Sequence, residues 1–330
     1  MKVLVVRFSS IGDIVLTDSV VRCVKEQIPM VEIHYLTKES FLDLVQYNPN
    51  VSKVHVLMDD WTSLIESLRL EKFDFIIDLH NNLRTRRLKW ALQTKSFSFP
   101  KRNIQKYIYT RFKRNVLPKN EHVVDRYFSA VSHLNITNDY QPNQFYINTN
   151  NEIDLKSIGL SEKEYLAVAI GAQFNTKKLP VDKMISVLKN CTTPIVLLGN
   201  KQDDTEAQQL INLLKEQSIQ SFCGKLNLLQ SASLIKQSAV LLTHDTGLMH
   251  IAACFETPIV SVWGNTTPAF GMYAYTPTRK NQAVQIEVKN LRCRPCSKIG
   301  YPSCPKGHFL CMNLQDEDII WHEINKRITN

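Results

Sequence analysis

The sequence is poor in glycine and lacks the glycine-rich signatures of two large enzyme classes. Ten of its 330 residues are glycine, less than half the usual share of about 7%. Neither G-x-G-x-x-G nor G-x-x-x-x-G-K-[ST] occurs, which argues against a dinucleotide-binding enzyme of the usual kind and against a P-loop NTPase. H-E-x-x-H and G-x-S-x-G are also absent, which weakens zinc-protease and serine-hydrolase interpretations.

Long hydrophobic runs are missing as well. No stretch of about 18 apolar residues occurs, so a membrane-spanning helix is excluded. Residues 1–8 become polar too early for a secretory signal and predict a buried strand. We therefore expect a cytoplasmic protein whose eight cysteines are thiols or metal ligands rather than disulfides.

The remaining composition is that of an ordinary globular protein with two domains. Apolar residues make up 44% of the chain and charged residues 22%. Strand and helix patterns alternate in two blocks, which predicts an α/β protein with two doubly wound parallel sheets. We expect an N-terminal domain over 1–150 and a C-terminal domain over 151–315. A last helix over 316–330 is expected to pack back on the N-terminal domain, and the cleft between the domains is the predicted site.

Several elements follow from the hydrophobic pattern. Residues 2–8 and 73–80 predict strands, and residues 14–27 predict one amphipathic helix. Residues 277–312 contain four cysteines and three further prolines after Pro277, and predict an irregular segment.

The positive charge is concentrated in one segment. The chain carries a net charge of +9, yet residues 84–126 alone hold thirteen Lys and Arg against two acidic residues. Aromatic residues lie among these charges. Such a segment suits nucleic acid, an anionic membrane surface or a phosphorylated substrate, and the alternative is a solvated helical face.

A first polar motif joins the first strand to the first helix, in the run Arg7–Ile14. Gly12 permits a tight turn there, and Ser9, Ser10 and Asp13 lie where a ligand meets a helix N-terminus. Asp13 is either a helix cap or a general base at the rim of the cleft.

A second motif, Thr243–His250, has the same strand-to-helix position. Backbone N–H groups of Thr246, Gly247 and Leu248 would present the positive helix end to a pyrophosphate, although an ordinary cap explains the pattern equally well. His250 by itself is typical of a structural histidine.

A third motif, Gly171–Pro180, ends the first strand of the second domain. Lys177 and Lys178 precede a proline that suits the first helical turn. The two lysines either neutralise phosphates or are ordinary surface lysines.

Together these motifs resemble glycosyltransferase family 9, the heptosyltransferases of lipopolysaccharide core assembly. The matching segments are Ser10–Asp13, Asp78–Asn81, His122–Tyr127, Lys177–Pro180 and Asp245–His250, in the family's order. The resemblance implies a GT-B fold and an inverting, metal-independent transfer from a nucleotide sugar.

The resemblance also implies roles for individual residues. Asp13 would be the catalytic base. Donor-binding residues would be Gln173, Lys177, Asp203, Asp245, Thr246, Gly247 and His250. Acceptor-binding residues would be Ser9, Ser10, Gly12, Arg84 and Arg87. The sequence departs from the family at Leu179, which replaces the usual Trp, and at Asp203, which stands in for an acidic residue closer to Gly199.

The expected activity is transfer of a heptose or related sugar from an ADP-linked donor to a lipopolysaccharide core or lipid A acceptor. We expect no cofactor in catalysis, and peripheral association with the inner membrane through the basic segment. The alternatives are a sugar-nucleotide epimerase of the same fold and a basic nucleic-acid-binding module with a zinc knuckle. Asp13 and the Asp245–Gly247 helix start separate these alternatives, because a binding module needs neither, so nucleic acid is not the expected partner.

Four cysteines form the pattern C-x2-C-x7-C-x6-C near the C-terminus. In a cytoplasmic protein, Cys293, Cys296, Cys304 and Cys311 suit a structural zinc site. The alternatives are free thiols that pack the loop, or a disulfide. His308 is a candidate ligand in place of one cysteine.

Overall fold

The computed structural model describes residues 1–329 and divides into two compact units. The first unit combines Met1–Arg102 with Glu121–Tyr146. The second combines Asn103–Asn120 with the residues from Ile147 onward. The division after Tyr146 lies close to the predicted boundary at residue 150. The short segment Asn103–Asn120, however, belongs to the second unit, whereas the sequence placed it in the N-terminal domain.

The first unit is built on a five-stranded parallel sheet with the order β3-β2-β1-β4-β5. Its strands are β1 Lys2–Val6, β2 Glu32–Thr37, β3 Lys53–Val56, β4 Phe75–Asp78 and β5 Ser96–Ser98. Its helices are α1 Ile11–Val15, α2 Asp18–Gln27, α3 Trp61–Leu70, α4 Leu83–Leu92 and α6 Val123–Phe128. The continuous apolar sequence of β1 suits a central strand with both faces covered.

The helix predicted over 14–27 is two helices, with a break at Leu16 and Thr17. The Thr17 hydroxyl donates to the Ile14 carbonyl oxygen at 2.6 Å and lies 2.9 Å from the Tyr35 hydroxyl. A threonine side chain that bonds to the preceding turn competes with the helical pattern. The break follows the first polar motif and keeps α1 very short.

The second unit is built on a six-stranded parallel sheet with the order β11-β10-β9-β6-β7-β8. Its strands are β6 Leu166–Ala169, β7 Ile195–Leu198, β8 Ile219–Ser221, β9 Val240–His244, β10 Ile259–Trp263 and β11 Ala283–Glu287. Its helices are α5 Asn103–Phe112, α7 Val181–Leu188, α8 Asp204–Leu213, α9 Leu228–Gln237, α10 Gly247–Ala252, α11 Leu310–Asn313 and α12 Glu317–Ile328. Strand β11 lies in a segment predicted to be irregular, because an edge strand needs only weak apolar patterning.

The C-terminal helix α12 is part of the second unit. Ile320 and Ile324 are fully buried in the cluster formed by α7 and one face of the sheet. Lys183 of α7 also pairs with Glu317 at 2.8 Å. This packing differs from the prediction that the last helix packs back on the N-terminal domain.

Helix α5 carries much of the basic segment and is anchored in the second unit. The rings of Tyr109 and Phe270 meet edge to face with centroids 5.9 Å apart, and the Lys106 ammonium lies 5.9 Å from the Phe270 centroid. Lys113 donates to the Pro295 carbonyl oxygen at 2.7 Å. None of the helices within residues 1–329 combines the length and the apolarity that crossing a membrane requires.

Candidate functional site

The turn after β1 holds an ion pair between Arg7 and Asp13. One Arg7 nitrogen lies 2.6 Å from Asp13 Oδ1, and the Arg7 side chain is almost fully buried while 22% of the Asp13 side chain is exposed. Burial disfavours the charged guanidinium, but the charge of Asp13 outweighs it, and the pKa of Arg7 is raised. The arginine is therefore a fixed positive charge, and the carboxylate is the member of the pair that solvent reaches.

Asp13 also stabilises the start of α1. Its Oδ2 accepts hydrogen bonds from the Ser10 hydroxyl at 2.8 Å and from the Ser10 backbone N–H at 3.3 Å. The Tyr127 hydroxyl, fully buried, lies 3.4 Å from Oδ1. The cap and the base interpretations of Asp13 are thus compatible, since one oxygen serves the helix and the other faces Arg7. Ser9 is half-buried, Ser10 exposed and Gly12 buried in the same turn.

The end of β4 lies beside this turn because β4 pairs with β1, with Asp78 opposite Val6. Asp78 is fully buried and pairs with Lys89 at 2.8 Å, and it accepts the backbone N–H of Asn81 at 2.7 Å. Burial opposes ionisation of Asp78, but these two donors prevail and lower its pKa. Arg7 also donates to the Leu79 carbonyl oxygen, which fixes the two strand ends to each other.

His80 adds a neutral imidazole to the same edge. Its ring packs against Phe8 with centroids 5.1 Å apart, and its buried Nδ1 has no hydrogen-bond partner among residues 1–329. Burial lowers the pKa of His80 to about 4, and the charge of Arg7 acts in the same direction.

The two predicted acceptor-binding arginines lie on α4. Arg84 is exposed in the first turn of that helix, six residues after Asp78, the last residue of β4. Arg87 is exposed one turn further and stacks on Trp61, with its guanidinium carbon 4.6 Å from the ring centroid. Arg84 is therefore near the polar edge, whereas Arg87 is held toward α3.

The central feature of the second unit is an ion pair between Lys177 and Asp245. Lys177 Nζ lies 2.7 Å from Asp245 Oδ2 and also donates to the Asp245 carbonyl oxygen at 3.1 Å. The Thr266 hydroxyl donates to the same carboxylate at 2.8 Å. Because β6, β9 and β10 are neighbours in the sheet, three strand ends converge on this carboxylate.

The turn after Asp245 begins α10. Thr246 is the N-terminal cap residue with an extended backbone, and its hydroxyl lies 3.2 Å from that of Thr243. Thr246 and Gly247 are partly exposed, whereas His250 is buried within the helix. Gln173, in the loop after β6, is exposed.

Asp203, a predicted donor-binding residue, is buried and not exposed at the strand ends. Its Oδ1 pairs with Lys178 at 2.9 Å, and its Oδ2 accepts the Asn200 backbone N–H at 2.9 Å. A Cβ at Gly171 would stand 2.2 Å from Asp203 Oδ2, so the carboxylate fits only because that position is glycine. Glu206, which also pairs with Lys178 at 2.7 Å, is the more exposed carboxylate of this group.

His244 fixes the loop that carries the lysines. Its Nε2 accepts the Leu179 backbone N–H at 2.9 Å, and burial lowers the pKa of His244 to about 4, so the ring stays neutral. Leu179 is itself buried in the core, where the family pattern has Trp.

The four clustered cysteines line one pocket. Cys293, Cys296 and Cys304 are partly exposed and Cys311 is buried, and none is in a disulfide. Asn265 lies in the same wall, and neither polar atom of its buried side chain has a hydrogen-bond partner among the described residues. No three of the sulfur atoms lie within 4.8 Å of one another, so they surround the pocket loosely.

The cysteine loop also supports the Lys177–Asp245 pair. The Thr176 hydroxyl donates to the Tyr301 carbonyl oxygen at 2.9 Å, and the Tyr301 backbone N–H lies 2.8 Å from that hydroxyl. Arg294 donates to the Thr266 carbonyl oxygen at 2.7 Å. One neighbour of Lys177 and one partner of Asp245 are therefore held by residues of this loop.

Sequence reasoning passed over four side chains that shape these sites. Arg7, Tyr127, His80 and His244 all lie in or beside the motifs that the sequence indicated. Arg7 was the one with a detectable signal, since a charged residue that closes a buried strand needs a partner. The positions of the other three depend on tertiary packing.

The chain matches known proteins over most of its length. A profile of glycosyltransferase family 9 (heptosyltransferase) matches residues 61–304. Lipooligosaccharide heptosyltransferase 2 of Haemophilus influenzae is 25% identical over 326 residues, with 87% of this chain and 89% of that protein covered.

Two solved structures have the same fold. ADP-heptose lps heptosyltransferase II of E. coli superimposes with a TM-score of 0.76 at 19% identity, covering 100% of this chain and 99% of the other. A family 9 glycosyl transferase from Veillonella parvula gives a TM-score of 0.77 at 19% identity, covering 99% and 97%. These likenesses confirm the predicted GT-B fold with two parallel-sheet domains. Since the family profile covers more than half of its residues, the chain belongs to glycosyltransferase family 9, the heptosyltransferases.

Proposed function

We propose that this protein is an inverting heptosyltransferase that moves a heptose from an ADP-linked donor to a lipopolysaccharide core or lipid A acceptor. The observation that carries the proposal is the Lys177–Asp245 ion pair at the start of α10, in a chain of family 9. A lysine held by one carboxylate is a ready partner for a diphosphate, which offers more negative charge. Curated relatives of the chain include lipooligosaccharide and lipopolysaccharide heptosyltransferases.

In the first unit, we assign Asp13 as the general base. The acceptor hydroxyl attacks the anomeric carbon of the sugar while the bond to the diphosphate breaks, and Asp13 takes the hydroxyl proton. The 2.6 Å contact with Arg7 orients the carboxylate, and its partial exposure lets a hydroxyl approach. Ser9, Ser10, Gly12 and Arg84 would line the approach of the acceptor.

In the second unit, we assign donor binding to Lys177 and the turn at Thr246 and Gly247. When the diphosphate binds, Lys177 would exchange one carboxylate oxygen of Asp245 for phosphate oxygens. The same positive charge would stabilise the diphosphate as it leaves. Thr266, which bonds to Asp245, would keep that carboxylate in place during the exchange.

The third assignment is peripheral binding to an anionic membrane surface on the cytoplasmic side. On helix α5, Ile104, Tyr107 and Phe112 are 74%, 58% and 66% exposed, and Arg111 and Arg114 lie nearby. Apolar side chains beside basic ones suit the headgroup region of a bilayer. Tyr109, Lys106 and Lys113 are engaged within the second unit, so the exposed residues would make the contact.

The fourth assignment is a structural metal ion held by Cys293, Cys296, Cys304 and Cys311. Zinc is the preferred ion, and iron shares the preference for four sulfur ligands. The unpartnered side chain of Asn265 in the same wall supports a bound group there. Catalysis itself would need no metal, and the ion would act by holding the loop that supports Lys177.

An acceptor-dependence assay tests the activity. The purified protein is incubated with ADP-heptose, with and without a heptose-deficient lipopolysaccharide precursor, and the product is weighed by mass spectrometry. We expect ADP release only with the acceptor, and an acceptor heavier by one heptose. An altered sugar nucleotide without acceptor, with no ADP released, would favour an epimerase instead. Protection against heat by an oligonucleotide but not by ADP would favour a nucleic-acid-binding module.

A further inference from the structure

Two histidines of neighbouring strands and a carboxylate at the end of a helix converge in the first unit. His34 lies in β2, His55 in β3, and Glu71 directly follows α3. One ligand atom from each lies within 4.8 Å of the others, and no other group of three His, Cys, Asp or Glu side chains in residues 1–329 meets that distance. We propose that His34, His55 and Glu71 form a binding site for a divalent transition-metal ion of the zinc type, separate from the transfer reaction.

The sheet register brings the two imidazoles to one face. His55 pairs with Leu36, two residues along β2 from His34, so both histidine side chains project in the same direction. Phe73 packs edge-on against both rings, with centroids 5.3 Å from His34 and 6.2 Å from His55. Because Phe73 is itself buried in the core of the unit, the orientation of the two rings is fixed before any ion binds.

The hydrogen bonds of His34 leave one nitrogen suited to a metal. Its Nε2 lies 2.7 Å from Glu32 Oε1, and an ionised carboxylate can only accept, so the ring proton is on Nε2. Its Nδ1 lies 2.9 Å from His55 Nε2, and a metal ion bound between them would replace the proton of that hydrogen bond. A carboxylate that holds the far nitrogen of a histidine is the usual outer partner of a metal-binding imidazole.

The distances suit a small tetrahedral ion. The contacts of Glu71 are 3.9 Å to His34 Nδ1 and 4.0 Å to His55 Nε2, and the two ring nitrogens are 2.9 Å apart. Bonds of about 2.0–2.1 Å in a tetrahedral site place neighbouring ligands roughly 3.3 Å apart. The observed values lie on both sides of this separation, so small shifts, chiefly of the Glu71 side chain, would bring the three ligand atoms to it.

Two lysines form ion pairs with the Glu71 carboxylate. Lys53 Nζ lies 2.5 Å from Glu71 Oε1, and Lys2 Nζ lies 3.0 Å from Glu71 Oε2. The Lys53 side chain is 56% exposed and can turn into solvent. A metal ion and Lys53 would therefore compete for one carboxylate, and removal of the lysine would favour the ion.

Zinc binding to the full-length, metal-free protein tests the proposal by calorimetry. The variants are His55→Ala, the isosteric Glu71→Gln and Glu32→Gln, and Lys53→Met. His322→Ala, which removes an exposed histidine of α12, is the matched control. Circular dichroism and the free energy of unfolding without metal show whether each variant is folded. Cobalt substitution distinguishes this site from the cysteine pocket, because only cysteine ligands give a sulfur-to-cobalt charge-transfer band.

We expect the wild type and His322→Ala to bind one more equivalent of zinc than His55→Ala and Glu71→Gln, without a sulfur-to-cobalt band for that equivalent. Glu32→Gln should weaken it by about 10- to 100-fold, the usual effect of an outer partner. Lys53→Met should tighten it. Equal zinc stoichiometry in the wild type, His55→Ala and Glu71→Gln would overturn the proposal, and so would weaker binding by Lys53→Met.

Discussion

Each unit has an ion pair at its strand ends, and the two pairs differ in which member, the cation or the acid, other groups hold in place. In the first unit, the cation Arg7 is buried and bound to backbone carbonyl oxygens as well as to Asp13, so the acid is the accessible partner. In the second unit, the acid Asp245 is held by Thr266, and the cation Lys177 is a long side chain at the end of a loop. The fixed member of each pair sets the position of the other, which is the group that would meet the substrate.

This difference assigns a proton acceptor to one unit and a phosphate ligand to the other. A carboxylate that a buried cation holds in place, and that solvent reaches, is positioned to accept the proton of an attacking hydroxyl. A lysine that leaves one carboxylate for a diphosphate gains charge-assisted hydrogen bonds. Variants of Asp13 and of Lys177 should therefore fail in different ways.

The largest effect is expected from Asp13→Asn. This change keeps the size of the side chain but removes the proton acceptor and the negative charge that pairs with Arg7. We expect kcat to fall by a factor on the order of 10²–10⁴ with little change in the affinity for donor. Steady-state transfer kinetics measure both quantities. Asp316→Asn, at the cap of α12, is the matched control and should keep its turnover. Near wild-type kcat in Asp13→Asn would leave the residue as a helix cap alone.

Lys177→Ala should have the next largest effect. Loss of a charged hydrogen bond to the diphosphate should raise KM for the nucleotide sugar by about 10- to 100-fold and lower kcat as well, since the leaving group loses its stabilisation. Lys183→Ala removes a comparable lysine–carboxylate pair between α7 and α12 and should leave KM unchanged. Equal kinetics for the two variants would remove Lys177 from the donor site.

Charge-reversal variants distinguish basic residues that bind the membrane from a basic residue that binds the acceptor. Arg111→Glu together with Arg114→Glu, in the second unit, should raise KM for a membrane-embedded acceptor by about tenfold or more and spare a delipidated one. Arg84→Glu, in the first unit, should impair both acceptors equally. Vesicles of phosphatidylcholine with and without phosphatidylglycerol measure the binding step. Salt should weaken that binding, because screening acts within about 10 Å at 0.1 M. Unchanged vesicle binding by the double variant would show that the exposed face of α5 contacts only solvent.

The smallest effect on the reaction is expected from metal removal at the cysteine pocket. Elemental analysis for zinc and iron should find about one ion per chain at the four cysteines. Chelation, or Cys296→Ser, should lower the thermal stability and raise KM for donor several-fold without a change in kcat, since Tyr301 holds Thr176 next to Lys177. Cys254→Ser, outside the cluster, is the control. A protein purified without chelators that contains neither metal would favour plain thiols.

Much of the fold could be predicted because the parallel strands are continuous apolar runs. Strands β1 and β4 and the helix α12 appear near their predicted positions, since burial on both sides or on one helical face leaves a strong pattern. The three-residue strands β5 and β8 at sheet edges were missed, because Ser96–Ser98 and Ile219–Ser221 have no such pattern. The unit to which α5 belongs depends on contacts with Phe270 and Pro295, which are distant in sequence.

Some site residues could likewise be predicted from the sequence, whereas the position of others depends on packing. A polar run after a buried strand predicts a strand-end site, and this rule selected Asp13, Lys177 and Asp245 as candidates. It cannot show which carboxylate is exposed, and Asp203 illustrates this limit, because its burial against Gly171 follows from packing between two loops. Glu206, which shares Lys178 with Asp203, is the more exposed of the two acids.

The most direct test of the division between the two ion pairs is the affinity for ADP, measured by calorimetry in Asp13→Asn and Lys177→Ala side by side. The account predicts that Asp13→Asn binds ADP as tightly as the wild type while turning over slowly, and that Lys177→Ala binds ADP about 10- to 100-fold more weakly. Loss of ADP affinity in Asp13→Asn together with unchanged affinity in Lys177→Ala would contradict it.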